Sequence, residues 1–509
     1  MVSSRLKRLV RGFILVGVGG FASKLLSYGA EVYFARELMA EEFGGAIFAY
    51  SFLLTISSLL LFGVPEGVTH YTSVYSRNNE KKQSQLLLIS LGFIGVLSLI
   101  SMGVILISND TLATVFSRRQ SEWITLLSPL LLFYPISRVS LSAVRGYERT
   151  IPKIVFDDFL NKVIPLAACL LLIGYTLTPQ QVLFPVYYVG QYAFSAIGLV
   201  FTTLYISDVT KYTLNELLEG LRDVVEPLVG YSLPLLLKNS FGKLIGNIDI
   251  MIVGLLLSSE SVGFYRTGFV VVQTEMIILI SLYYLYNPIQ TGLISGDSGG
   301  SAEFYENVTG VAIVATSVAT SFLFVNSNSI ISILFGERYA PGASVLAILS
   351  IDIFLRASFG PVGETLESAK ETGIESAVVI GSTVMNVGLN YVLILQFGII
   401  GGAIATTISI FLLNLLRLYS IRKRTGVRVL SLSHFLKCLL LLVSTVLIAS
   451  ALDVFLQMNS LLSLIVQIPI YGVILSIVGV SVCQLLGLID LLKAATAVRK
   501  SVQWDDDDG

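Results

Sequence analysis

Apolar residues in this chain come in runs near twenty long, separated by short stretches where charges and turn-forming residues collect. A helix rises about 1.5 Å per residue, so some twenty apolar residues cross the roughly 30 Å hydrocarbon layer of a bilayer. The pattern predicts about 14 spanning helices. They fall near residues 12–36, 43–70, 86–107, 123–144, 154–176, 184–206, 229–257, 262–286, 308–325, 343–366, 377–397, 401–418, 434–452 and 461–485. The segment 208–228 differs. There Leu214, Leu217, Leu218, Leu221, Val224, Val225 and Leu228 recur at helical spacing, with Lys211, Glu216, Glu219, Arg222 and Asp223 on other faces. This predicts an amphipathic helix lying on the membrane surface.

The pattern also repeats. An ungapped shift that lays Lys24-Leu25-Leu26 on Lys243-Leu244-Ile245 also lays Leu38, Glu41, Phe43 and Gly44 on Leu257, Glu260, Val262 and Gly263. The expected fold is therefore an all-α polytopic membrane protein with two pseudo-symmetric six-helix lobes. The N-lobe covers 1–207, the linker 208–228 and the C-lobe 229–425; spans 13 and 14 lie in 426–488, and an acidic tail follows at 489–509. Spans 1 and 7 enter from the same side, so the repeat is parallel. Most of the 33 Lys and Arg residues fall in alternate loops, from Arg5, Lys7, Arg8 and Arg11 at the start to Lys493, Arg499 and Lys500 at the end. The opposite loops hold only Arg36, Arg118, Arg119, Arg266 and Arg338. Positive loops stay inside, so both termini are expected in the cytoplasm.

Composition agrees: 54% of residues are hydrophobic and 13% charged, against about 25% charged in soluble domains. The mean hydropathy is +0.81. A net charge of −1 gives no field suited to nucleic acid. Cys169, Cys438 and Cys483 lie in apolar runs, and His70 and His434 near helix ends; no metal site or cofactor is expected from so few ligands. The basic start followed by a long apolar segment is expected to be the first span and not a cleaved leader. A membrane glycosyltransferase, polymerase or ligase would need a sizeable outer loop for its catalytic groups. The longest outer connections, near 108–122 and 326–342, are short and carry no paired acids or histidines, which argues against an enzyme.

Charges inside spans carry the chemistry. A lysine in mid-span costs about 2.5–3.5 kcal/mol on insertion scales. Lys24, Arg138, Lys162, Lys238, Lys243, Arg356 and Lys437 fall within spans, as do Glu31, Asp157, Asp158, Asp249, Asp352 and Glu364. Lys437 is close enough to a helix end to snorkel. Asp158 and Lys162, and Asp352 and Arg356, stand four apart, the favourable acid-before-base spacing of a helix. Each pair is either a structural bridge or part of a charged path. Lys24 and Glu31 are about 10 Å apart in height on one helix face, and Lys238 and Asp249 about 16 Å apart. These lysines either line a water-accessible path for an anion, bond carbonyls at a kink, or pair with acids on neighbouring helices. Ser137, Ser140, Asn239, Asn247 and Ser358 either face the path or bond between helices. Pro135, Pro234 and Pro361 interrupt spans 4, 7 and 10, as kinks or for packing.

Ala35-Arg36-Glu37-Leu38 followed by Glu41-Glu42-Phe43-Gly44 resembles the link between the first two helices of polysaccharide and oligosaccharide flippases. Ser232-Leu233-Pro234, Ile248-Asp249, Gly254 and Val262-Gly263-Phe264-Tyr265 are similar to that family's second copy. Ile333-Leu334-Phe335-Gly336-Glu337-Arg338-Tyr339 and Gly398-Ile399-Ile400-Gly401-Gly402-Ala403 fit as well. The resemblance covers about residues 10–425 and reaches the wider group that includes multidrug-and-toxin exporters and the peptidoglycan-precursor flippase. It implies alternating access between two lobes. It also implies transfer of a polyprenyl- or dolichyl-phosphate-linked oligosaccharide to the outer leaflet, for polysaccharide or glycoprotein glycan assembly. On that basis Lys24, Lys243, Lys238, Arg138, Arg356 and Lys162 are expected to meet the cargo's phosphate. Glu31, Asp249, Asp158 and Asp352 are expected to couple ions or balance charge. The implied partners are the lipid-linked sugar, membrane lipids and the glycosyltransferases or polymerase of the same pathway, with the protein a monomer in the cell membrane. A Na⁺- or H⁺-coupled multidrug exporter and a peptidoglycan-precursor flippase are the alternatives.

Overall fold

The computed structural model describes residues 23–488, apart from 176–179, 208, 296–300, 370, 426–431 and 457–459; the side chains of residues 234–247 also lie outside the description. The described residues are helical nearly throughout. They form α1 (residues 23–37), α2 (Ala40–Leu60), α3 (Val64–Asn78), α4 (Glu80–Ile107), α5 (Asn109–Val115), α6 (Arg118–Leu127), α7 (Leu130–Gly146) and the short α8 (Ile151–Lys153). A π-helical turn, Ile154–Phe159, leads into α9 (Leu160–Tyr175), then α10 (Gln180–Ile206), α11 (Leu214–Leu218) and α12 (Arg222–Leu256). The rest comprises α13 (Ser259–Ser295), α14 (Ser301–Val325), α15 (Ser327–Phe335), α16 (Gly342–Phe359), α17 (Val362–Ser368), α18 (Thr372–Phe397), α19 (Ile399–Thr425), α20 (Leu432–Leu456) and α21 (Leu461–Leu485). Among the described residues, 10 helices are long and apolar enough to cross a membrane, or 11 if the bent pair α6–α7 is one span. The protein is thus a multi-pass membrane protein, and its large outward side chains, such as Phe93, Val96, Ile100 and Ile107 on α4, suit contact with lipid.

Several expected spans are broken. The span at 43–70 divides at Phe62 (φ 49°) and Gly63 (φ 72°), with Pro65 in the first turn of α3. A left-handed glycine ends one helix and a proline, needing no N–H there, starts the next. Span 4 bends by 46° between α6 and α7. The break falls at Ser128–Pro129, where proline cannot extend the ladder of α6, and Pro135 lies inside continuous α7. Span 10 stops at Gly360 (φ 72°), and Pro361 caps α17.

The segment 208–228 does not form one surface helix. Gly220 (φ 68°) divides it, and the part after Gly220 becomes the start of α12. In α11, Thr213 and Glu216 make a reciprocal capping box; those hydrogen bonds, first from the Thr213 amide, hold the exposed Glu216 carboxyl below its usual range. The apolar stripe packs on protein: Leu217, Val224 and Leu228 are buried, the last two with Leu86 of α4. Gln85 of α4 donates to the carbonyls of Leu217 and Glu219.

The chain divides into two compact units, Met1–Gly263 and Phe264–Gly509. The boundary between these units follows α12, which packs on α2, α3 and α4. In the first unit one apolar cluster gathers Leu61, Val64, Val68, Leu87, Ile94, Val139 and Ala143. The echoed motifs meet within this unit. A Cβ on Gly44 would stand 1.7 Å from the carbonyl oxygen of Ser259 and 2.7 Å from the amide nitrogen of Gly263. In the second unit α20 and α21 pack on α14, with Cys438, Leu441 and Cys483 buried against Ile313 and Phe354.

Candidate functional site

The first unit gathers its intramembrane charges around the π turn. Asp157, within that turn, accepts from both terminal nitrogens of Arg138 on α7, the Nη1 bond being 3.4 Å, and from the hydroxyl of Ser195 on α10 at 3.2 Å. The Arg138 guanidinium also lies 5.5 Å from the centre of the Tyr134 ring, a cation–π distance. Asp158 pairs with Lys153 at 2.6 Å. These two are five apart, the spacing that a π turn brings onto one face.

A bridge from Asp158 to Lys162, four residues on, is one of the two readings that the spacing leaves open. The π turn changes that register, and the Lys162 ammonium instead bonds the amide oxygen of Gln191 on α10. Lys162 also feels the charges of Asp157, Arg138, Glu31 and Asp158. Tyr50 and Tyr192 join hydroxyls at 3.0 Å beside this group. Glu31 is buried and engaged by other groups, as is Asp249.

Lys24 is half-buried on α1. Among the described residues it makes no hydrogen bond and no ion pair. Lys238, Lys243, Asn239 and Asn247 belong to the stretch of α12 whose side chains lie outside the description. Ser137 donates to the Tyr134 carbonyl, and Ser358 to the Phe354 carbonyl.

In the second unit the four-apart spacing does form a bridge. Arg356 donates to Asp352 Oδ2 through Nε at 2.8 Å and Nη2 at 2.6 Å. A second buried pair joins Arg417 of α19 to both carboxylate oxygens of Glu375 on α18, with Nη1 on Asn414 at 3.3 Å.

Sequence reasoning passed over several of these groups. Gln191 and Ser195 continue into Thr203, so α10 carries buried polar residues at multiples of four; that spacing was there to be read. Glu275, an acid in the middle of span 8, was also overlooked. It is 2% exposed and shares a hydrogen bond with the Thr320 hydroxyl. Glu375 and Arg417 sit near helix ends, where charge is commonplace.

Comparison with known proteins begins with the family. The sequence profile of the polysaccharide biosynthesis protein family matches residues 9–291, more than half of the chain. The chain belongs to that family. Over 171 residues it is 27% identical to the probable low-salt glycan biosynthesis flippase Agl15 of Haloferax volcanii, a match covering 32% of this chain and 34% of the relative. The aligned stretch therefore spans about a third of that relative's length. Stage V sporulation protein B of Bacillus subtilis is 21% identical over 449 residues, 81% of this chain and 83% of the relative.

Among solved structures, the lipid II flippase MurJ in an inward closed conformation matches with a TM-score of 0.70 at 16% identity, covering 92% of this family member and 98% of MurJ. An inward-facing multidrug resistance MATE transporter of the MOP superfamily matches with a TM-score of 0.62 at 15% identity, covering 79% and 96%. This polysaccharide biosynthesis family member therefore has the fold shared by MurJ and the MATE transporters. Agl15 and MurJ are flippases by name, and the MATE protein a transporter.

Proposed function

We propose that the protein is a flippase carrying a polyprenyl- or dolichyl-phosphate-linked oligosaccharide from the cytoplasmic to the outer leaflet by alternating access, for polysaccharide or glycoprotein glycan assembly. The observation that carries the reading is Lys24. In the sequence it falls in the middle of the apolar stretch 12–36, and on α1 it is half-buried, with no hydrogen bond or ion pair among the described residues. A cation kept there at the cost of its desolvation is explained by an anion that visits. Lysine suits the task because its compact ammonium holds phosphate as a point charge, without the planar fork of arginine.

Lys162 supports the same reading, since its hydrogen bond goes to a neutral amide. Arg138 and Arg356 each have a carboxylate partner, so they serve the path only by exchanging that partner for the cargo. Lys243 and Lys238 enter through the sequence echo alone. The family, and the likeness to a probable glycan biosynthesis flippase, favour a glycan lipid as cargo. Both termini lie in the cytoplasm on this reading, from the bias of Lys and Arg among the loops.

The test is flipping of a fluorescent polyprenyl-phosphate-linked oligosaccharide in proteoliposomes, comparing the wild type with a folded Lys24→Ala/Lys243→Ala variant. Flipping by the wild type that the double change abolishes is the expected result. Persistence in the variant would make both lysines structural groups. A wild type that does not flip the glycan lipid but expels cationic dyes down an ion gradient would be a multidrug exporter.

A further inference from the structure

In the second unit, two acids are buried within reach of each other's charge, and an arginine holds one of them. Glu275 on α13 and Asp352 on α16 are each 2% exposed, and Glu275 feels the charge of Asp352. Among the described residues, the one cation bonded to either is Arg356, on Asp352 Oδ2. Among the described residues, Glu275 Oε2 and Asp352 Oδ1 are buried with no hydrogen-bond partner. Two carboxylates and one guanidinium leave a net negative charge in an apolar interior. One proton restores neutrality, and like charges in such a site do not both ionise.

The hydrogen bonds indicate where that proton sits. Thr320 Oγ1 on α14 lies 2.5 Å from Glu275 Oε1 and 3.2 Å from the Ser350 carbonyl oxygen. A threonine hydroxyl has one hydrogen for these two neighbours. The carbonyl can only accept, so when Thr320 serves it, the other contact needs a hydrogen from Glu275. A carboxyl donates only when protonated. A neutral Glu275 completes the chain Glu275 to Thr320 to Ser350, and leaves its orphan oxygen as an uncharged one. An ionised Glu275 would bury an unpaired anionic oxygen.

We propose that Glu275, Asp352 and Arg356 form a site for one exchangeable proton, carried on Glu275 in the conformation described, and that this proton is the ion exchanged during transport. The second half rests on the transporter reading above; the first does not. Arg356 serves one carboxyl at a time. When it turns from Asp352 to Glu275 the guanidinium stabilises the ionised form. The Oε–H bond of Glu275 then breaks, and the proton passes to Asp352 or to entering water. The Arg356 side chain is 27% exposed against 3% for Asp352, so Arg356 is the less enclosed of the two.

The test is infrared difference spectroscopy of the full chain in lipid at neutral pH, with flipping in proteoliposomes across an imposed pH gradient as a second readout. Expected is a protonated-carboxyl band that disappears in Glu275→Gln while the thermal midpoint holds, because glutamine mimics the neutral acid. In Asp352→Asn the band should also fade, as Arg356 turns to Glu275. The gradient should alter flipping by the wild type and not by Glu275→Gln. No such band in the wild type, or a band indifferent to Glu275→Gln, overturns the site. A band abolished by sodium at constant pH makes it a cation site. Correct band behaviour with gradient-insensitive flipping removes the transport role and keeps the site. The same behaviour in a protein that flips nothing would refute the flippase reading instead.

Discussion

Lys24 can be separated from the scaffold because nothing among the described residues holds it. Lys24→Met keeps the length of the side chain and removes a charge worth about 2.5–3.5 kcal/mol of insertion cost. The thermal midpoint in detergent should hold or rise, while flipping of a phosphate-linked lipid falls at least tenfold. A midpoint that drops by several degrees would assign the lysine a structural bond. At this scale the sequence located the charges but not their partners. The Asp352–Arg356 spacing does form a bridge, because α16 is regular through that stretch. The Asp158–Lys162 spacing does not, because counting in fours presumes an α-helix and the chain there winds more widely. Glu275 escaped notice for the opposite reason: it has no charged neighbour in sequence, and its significance arises from α14 and α16 packed beside it.

The decisive element is the π turn Ile154–Phe159. It inserts one extra residue into a helical turn, directing Asp157 to Arg138 and Asp158 back to Lys153. Deleting one residue within it should restore an α-helical register and rotate everything downstream by about 100°, one residue of a 3.6-residue turn. Arg138 or Lys162 would then lose its partner. The expected outcome is a protein that still inserts but unfolds at a lower temperature and no longer flips, read by thermal unfolding and transport side by side. If stability and flipping match the wild type, the π turn has no part in placing the charges. Element boundaries were less legible than element type. Apolar runs announced the spans, but the stops depend on local backbone geometry at Phe62–Gly63, Pro129 and Gly360. In 208–228 the helical spacing was real, yet the burial of Leu217 and Val224 depends on α4, which periodicity cannot see.

At the scale of the whole molecule, membership of the polysaccharide biosynthesis family was legible in short motifs because they sit where backbones approach closely. Gly44 is the clearest case, since a Cβ there would overlap the carbonyl of Ser259. Gly44→Ala should therefore force α2 and the start of α13 apart, lower the thermal midpoint by several degrees and raise the labelling of a cysteine introduced at the exposed Met39. An alanine variant with wild-type stability and labelling would show that the backbones yield easily. The unit boundary at Gly263 was not legible, because a shift of sequence upon itself shows what is repeated and not which copy a helix packs against. The contact at Gly44 has one more consequence. Two stretches of like sequence touch there at like positions, as the halves of a two-fold dimer do. Their shared chain supplies an effective concentration on the order of mM, so a small, weak contact suffices to bring them together, and one that weak can also come apart.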